Sequence, residues 1–259
     1  MDLVTFSQAE VVRFATVLTR VGGLMVFAPF FGSLAIPHPI RIAAALVVTV
    51  AMLPSLPLAA VPSGFGLAQV ATSLFGEVVF GLVLGLTANF VFAGLQLAGQ
   101  IISFQLGFSI INLIDPSSEV ESSVFSFFEN ILGILFFLLL NGHHWFLTAV
   151  ADSFSYLPPG GVHLSGPVVA EIVRLSSAVL KGGVQIAGPV IAVTVIADVA
   201  TGIIGRAAPQ LNILVVGMPL KTLVGFGCLS FSFYYLPQFL DGAFSRLHHD
   251  LFGLLVRLQ

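Results

Sequence analysis

Three ionisable side chains stand where charge is costly: Glu77, Lys181 and Asp198 each interrupt a long apolar run. A charge at the centre of a membrane span costs about 3 kcal/mol on insertion scales, so such a group is by default a candidate for function. Several of them along one path would couple protons or ions to the transport of a small solute. Near span ends, or paired inside an assembly, the same residues would be structural. The histidines offer less. His143 and His144 are neighbours, so on a helix they point in different directions. Without a third ligand they predict a helix-end or interface role rather than a metal site. His248 and His249 fall on the polar face of the last amphipathic stretch. Cys228, the lone cysteine, lies in an apolar run and predicts a small core residue. No phosphate-binding glycine loop, zinc-protease helix or nucleophile-elbow motif occurs, and Gly64-Phe65-Gly66 lacks the third glycine of a dinucleotide site. The sequence therefore predicts no catalysis, no cofactor and no metal.

The richest candidate site is the stretch from Gln105 to Ser122. Gln96, Gln100 and Ser103 share one helical face and lead into Gln105, Ser109 and Asn112. Gly107 is followed by bulky apolar residues at Phe108, Ile110, Ile111, Leu113 and Ile114. Asp115-Pro116, Glu119 and Glu121 come next, with no basic residue among them. Such a segment can fill a conduit with apolar side chains and bend at its glycine and proline. The alternative reading is an ordinary loop between spans.

The elements around it are made for lipid. No Asp, Glu, Lys or Arg occurs between Arg41 and Glu77, between Glu77 and Asp115, or between Glu129 and Asp152. A helix crosses a bilayer core with about twenty apolar residues. The 259 residues are 57% hydrophobic and only 8% charged, and the mean hydropathy of +1.07 excludes an ordinary soluble domain. A net charge of -3, with no Lys or Arg run to track phosphates, predicts no nucleic-acid partner. Asp2 and Glu10 stand where a cleavable signal would carry basic residues, which predicts a retained N-terminus.

The expectation is one all-α integral membrane domain over residues 1–259, with long helices broken by proline and glycine. An amphipathic first helix runs toward Pro29. Spans follow from about Ile40 to Leu53, Leu67 to Ile102, Val124 to Leu140, Val173 to Ile204 and Thr222 to Leu240. Gly81 and Gly85 form a small-xxx-small pair that lets two helix backbones approach closely. Asp152 to Arg174 reads as a polar connection, and Arg206 to Lys221, with Pro209 and Pro219, as a buried turn or re-entrant element. Leu240 to Leu258 reads as a separate amphipathic helix. Basic residues at alternate connections favour a cytoplasmic N-terminus.

Several short motifs, in order, resemble one family. They are Gln105-Leu106-Gly107-Phe108-Ser109 leading to Asp115-Pro116, Asn141-Gly142-His143-His144-Trp145 with Leu157-Pro158, and Ala208-Pro209-Gln210-Leu211 leading to Gly217-Met218-Pro219-Leu220. Pro37, Arg41 and the turn Pro54-Ser55-Leu56-Pro57 extend the likeness over nearly the whole chain. The pattern is similar to that of the FliR/SctT family of type III export gates. The resemblance implies a non-enzymatic protein of the bacterial inner (cytoplasmic) membrane at the flagellar basal body. It would assemble with FliP and FliQ homologues, and with an FlhB homologue, into a channel for unfolded export substrates, with membrane lipid as a further contact.

The resemblance further implies a FliP-like N-terminal part, a FliQ-like C-terminal part, and a plug after the third long helix. Carried onto this chain, the plug comprises Gln105, Leu106, Gly107, Phe108, Ile110, Ile111, Asn112, Asp115 and Pro116. Arg206, Pro209, Gln210, Pro219 and Lys221, with Gly81 and Gly85, are the expected assembly contacts. An injectisome export subunit of the SctT kind is the alternative within the family. A secondary transporter using Glu77, Lys181 and Asp198 is the alternative outside it.

Overall fold

The structure is a computed structural model that describes residues 8–29, 31–32, 36–56, 66–108, 124–159, 166–210 and 212–257, and all regular structure among these is helical. In chain order the helices are α1 (Gln8–Phe27), α2 (His38–Met52), α3 (Leu67–Gln105), α4 (Val124–Leu139), α5 (Gly142–Tyr156), α6 (Gly166–Ala207) and α7 (Ile213–Arg257). Proline sets both ends of α2. Pro37 precedes it and Pro39 sits in its first turn, where a missing N–H costs nothing. Pro54 then helps turn the chain into the short 3-10 segment Leu53–Ser55.

Among the described residues four stretches are long and apolar enough to cross a membrane: His38–Ser55, Leu67–Gln105, Val169–Ala207 and Val215–Leu247. At 1.5 Å per residue, the 39 residues of α3 extend roughly 58 Å, about twice the ~30 Å hydrocarbon core of a bilayer. Helices α4 and α5 together make a fifth candidate, broken by a 63° bend. The bend falls at Asn141, which adopts the left-handed conformation, φ 56°, that asparagine tolerates better than most residues.

The chain divides into two compact units. The first comprises Met1–Phe90, Asn141–Leu175 and Ser245–Gln259; the second comprises Val91–Leu140 and Ser176–Phe244. In the first, α1 lies against the N-terminal half of α3, with Val17, Val21 and Leu24 buried. A Cβ on Gly81 would strike the Arg20 carbonyl, and one on Gly85 the Leu24 carbonyl, so these glycines let α1 and α3 meet backbone to backbone. In the second unit Ile102, Leu106, Ala187, Val190 and Leu229 form one buried cluster. The rings of Phe92, Phe137 and Phe244 form another, with centroids 5.6–5.9 Å apart.

Three expectations are corrected. The proposed re-entrant element is not a turn: the break spans only residues 208–212, after which α7 runs 45 residues through Pro219 and Pro237. Proline removes one ladder bond, but flanking helical turns carry the chain onward in apolar surroundings. The separate amphipathic helix at the end is the continuation of this same α7. Much of the supposed polar connection is also helical. Asp152 and Ser153 belong to α5, and α6 begins at Gly166. The helix α5 escaped a period-based reading because it starts directly at the glycine and histidines that looked like the closing punctuation of α4.

Candidate functional site

The described part of the candidate plug is built from the end of α3. Phe108 N–H donates to the Ser103 carbonyl (3.0 Å) and Gly107 N–H to the Phe104 carbonyl (3.1 Å). This crossed pair is the Schellman helix ending, which needs a left-handed residue just past the cap. Gly107 supplies it with φ 86°, a conformation that costs an L-residue roughly 1–2 kcal/mol. The sequence singled out Gly107 as a bend, and its backbone shows the local reason.

Side chains from the second unit hold this ending. The Leu106 carbonyl accepts the Thr222 hydroxyl at 3.0 Å. The buried Leu106 side chain fills the space that a side chain at Gly225 would need. The Gln105 Oε1 faces the Thr194 hydroxyl at 3.4 Å, while that hydroxyl also donates to the Val190 carbonyl at 2.7 Å. Phe108, Phe125 and Phe226 close a ring triangle with centroids 5.5–6.0 Å apart. Two of these rings, Phe108 and Phe125, flank the stretch 109–123 in sequence. Ile110, Ile111, Asn112, Asp115 and Pro116 lie outside the described residues.

The expected assembly residues are placed as follows. Arg206, Pro209 and Gln210 are exposed at the end of α6 and in the turn beyond it; Pro219 is exposed within α7. Lys221 Nζ lies 2.7 Å from Asp198 Oδ2, linking α7 to α6 within the chain. Gly81 and Gly85 face α1. Lys181 is exposed.

In the first unit lies a polar cluster that the sequence did not reveal. The Arg20 and Glu77 side chains are both 0% exposed, with Nε to Oε2 at 2.5 Å. Arg20 also donates to the Ser153 hydroxyl at 2.7 Å and to the Leu157 carbonyl at 3.3 Å. Its guanidinium lies over the rings of Phe154 (3.9 Å) and Phe80 (4.7 Å). A planar fork with five donors suits this mixture of carboxylate, hydroxyl, carbonyl and ring faces; an ammonium would not match it. The cluster ties α1, α3 and α5 together. The periodicity of α1 puts Arg20 on one side with Glu10 and Arg13, and nothing local indicates a partner 57 residues away. A second network joins the exposed Arg174 to the buried Glu171 and, at 2.7 Å, to Asp250.

Among the described residues no group of three His, Cys, Asp or Glu is close enough together to hold a metal. His143 and His144 stack ring on ring at 4.3 Å in the first turn of α5.

Residues 11–247 match the family described as bacterial export proteins, family 1. The chain is 31% identical over 243 residues to the flagellar biosynthetic protein FliR of Escherichia coli strain K12, covering 93% of this chain and 92% of that protein. It is 31% identical to the protein of that name from Pectobacterium carotovorum subsp. carotovorum, over 99% of each chain. With the Bacillus subtilis strain 168 protein of that name the identity is 33% over 222 residues, 82% of this chain.

Proposed function

Because the chain belongs to the bacterial export proteins, family 1, the family of the FliR proteins, we propose that it is a non-enzymatic core subunit of the flagellar type III protein export gate. In this reading it sits in the bacterial inner membrane at the flagellar basal body. It assembles with FliP and FliQ homologues, and with an FlhB homologue, around a channel for unfolded flagellar proteins. One chain then combines a FliP-like N-terminal part with a FliQ-like C-terminal part. The segment from Gln105 to Pro116 plugs the channel at rest with apolar side chains, a kind of constriction that excludes ions by dewetting.

The observation that carries the plug reading is the anchored ending at Gly107. The helix stops at a residue with the required backbone freedom, and Thr222, Gly225 and Phe226 grip the two residues beside it. Broad exposed apolar faces on α2 (Ile40, Val47, Val50) and α7 (Leu223, Phe231, Tyr234) fit a subunit covered by lipid and neighbouring subunits.

The ionisable groups weigh against a solitary solute carrier. Glu77 is neutralised by Arg20 and Asp198 by Lys221, which leaves little free charge for coupling. The relatives' names favour the flagellar system over an injectisome. Purification of the tagged chain from its own cells in mild detergent, followed by mass spectrometry, tests the reading. Recovery of FliP and FliQ homologues in one large complex is the expected result. A monomer or homodimer without them would overturn it in favour of a self-sufficient carrier.

A further inference from the structure

The second unit contains a buried acid that none of the roles above uses. Glu129, in the second turn of α4, is 2% exposed. Its Oε2 has no hydrogen-bond partner, and the backbone of Gly99 lies within hydrogen-bonding reach of the carboxyl. The face of α4 that carries it meets α3 very closely. A side chain at Gly99 would collide with the Ser126 backbone, and one at Gly133 with Leu95 and Phe92. The Ser126 hydroxyl already donates to the Gln96 carbonyl at 3.0 Å. This seam has little room for a counter-ion.

Among the described residues no cation pairs with the acid. Lys181, Arg206 and Lys221 are the only Lys, Arg or His between Val91 and Leu140 and between Ser176 and Phe244. Lys181 and Arg206 are exposed, and Lys221 is engaged by Asp198. The stretch 109–123 between α3 and α4 has no basic residue in its sequence. Helix α3 from Val91 to Gln105 has no titratable group. Helix α7, which meets α4 through Phe233 on Phe128 and Phe244 on Phe137, offers Tyr234, Tyr235 and Asp241 along that stretch, all exposed. A buried carboxylate without a cation is strongly destabilised, whereas the neutral acid is tolerated.

We propose that Glu129 is a proton-binding site: it carries its proton while α3 and α4 are packed, and releases it when the seam between them opens. The ligand is the proton itself. Opening exposes the acid to water, where it ionises and gives up one proton. The opening constant therefore rises about tenfold per pH unit above the ordinary carboxylate range. The packed seam is fully stable at low pH and loosens as pH rises. The seam flanks the segment proposed above as the plug, so any link to gating rests on the export reading. The proton site and its tests do not.

Infrared spectra of the full chain in its native complex, with glutamate carboxyls isotopically labelled, test the site. The expected result is a protonated-carboxyl band near neutral pH that is lost in Glu129→Gln and kept in the exposed control Glu10→Gln. Absence of the band in the parent, or its persistence in Glu129→Gln, would overturn the proposal. Hydrogen exchange across Val124–Leu139, corrected for intrinsic rates, should climb with pH in the parent and stay flat in Glu129→Gln. Equal pH dependence in both would overturn the coupling to the seam.

Discussion

Two helix seams in this molecule handle a buried glutamate in opposite ways. Where α1 meets α3, Glu77 is answered by Arg20, and Ser153 and the Leu157 carbonyl take up further donors of the guanidinium. Where α3 meets α4, Glu129 has a backbone neighbour and no cation. Both seams are closed by glycines that bring backbones together, Gly81 and Gly85 in one and Gly99 and Gly133 in the other. The difference teaches how a nearly charge-free chain spends its few ionisable groups. A complete ion pair locks its seam, whereas a solitary acid makes its seam answer to the proton.

Breaking the lock should have the largest effect. Arg20→Leu or Glu77→Leu leaves one uncompensated buried charge, at a cost of roughly 3–5 kcal/mol. Each single variant should give little folded protein in a detergent thermal-melt assay. The double variant Arg20→Leu/Glu77→Leu should recover much of the loss, because an apolar pair of similar volume is tolerated. The charge swap Arg20→Glu/Glu77→Arg should not recover it, since the Ser153 hydroxyl and the Leu157 carbonyl would face a carboxylate. A swap that melted like the parent would show that the cluster is a simple charge pair.

The seam leading to the proposed plug is probed by smaller changes. Gly107→Val forces a β-branched residue to φ 86° and should cost about 2 kcal/mol or more, with hydrogen exchange rising around Ser103 to Phe108. Phe226→Ala removes two ring contacts worth about 0.5–1.5 kcal/mol each. It should raise exchange at Phe108 and in the first turn of α4, while α1 stays unchanged. Lys221→Gln is expected to do least. Its pair with Asp198 is partly exposed, and such pairs contribute about 0–1 kcal/mol, so the melting temperature should hardly move. A large drop would mean that Lys221 holds more than Asp198.

The long helices were legible because apolar length and proline punctuation are local. Helix α2 ends beside Pro54, within a residue of the expected Leu53, whereas α3 runs three residues past the expected Ile102, to Gln105. Gly81 and Gly85 announced a close helix contact, and α1 fills it. Other features depended on distance in the chain. Arg20 looked like an ordinary polar-face residue, since its partners Glu77 and Ser153 come from α3 and α5. Thr222 and Phe226 carry no motif at all; they matter because α7 brings them to the end of α3. The continuity of α7 through Pro219 and Pro237 was missed because proline marks the end of a helix far more often in water than in an apolar environment.

Ion leakage tests most directly the proposed closure of an export channel by the residues following α3, read across the inner membrane of cells whose only copy of the chain is the parent or Gly107→Val, in complexes of equal yield. A sealed membrane for the parent and a leak for the variant are the expected results. A variant complex that assembles, exports flagellar protein and holds ions as tightly as the parent would contradict it.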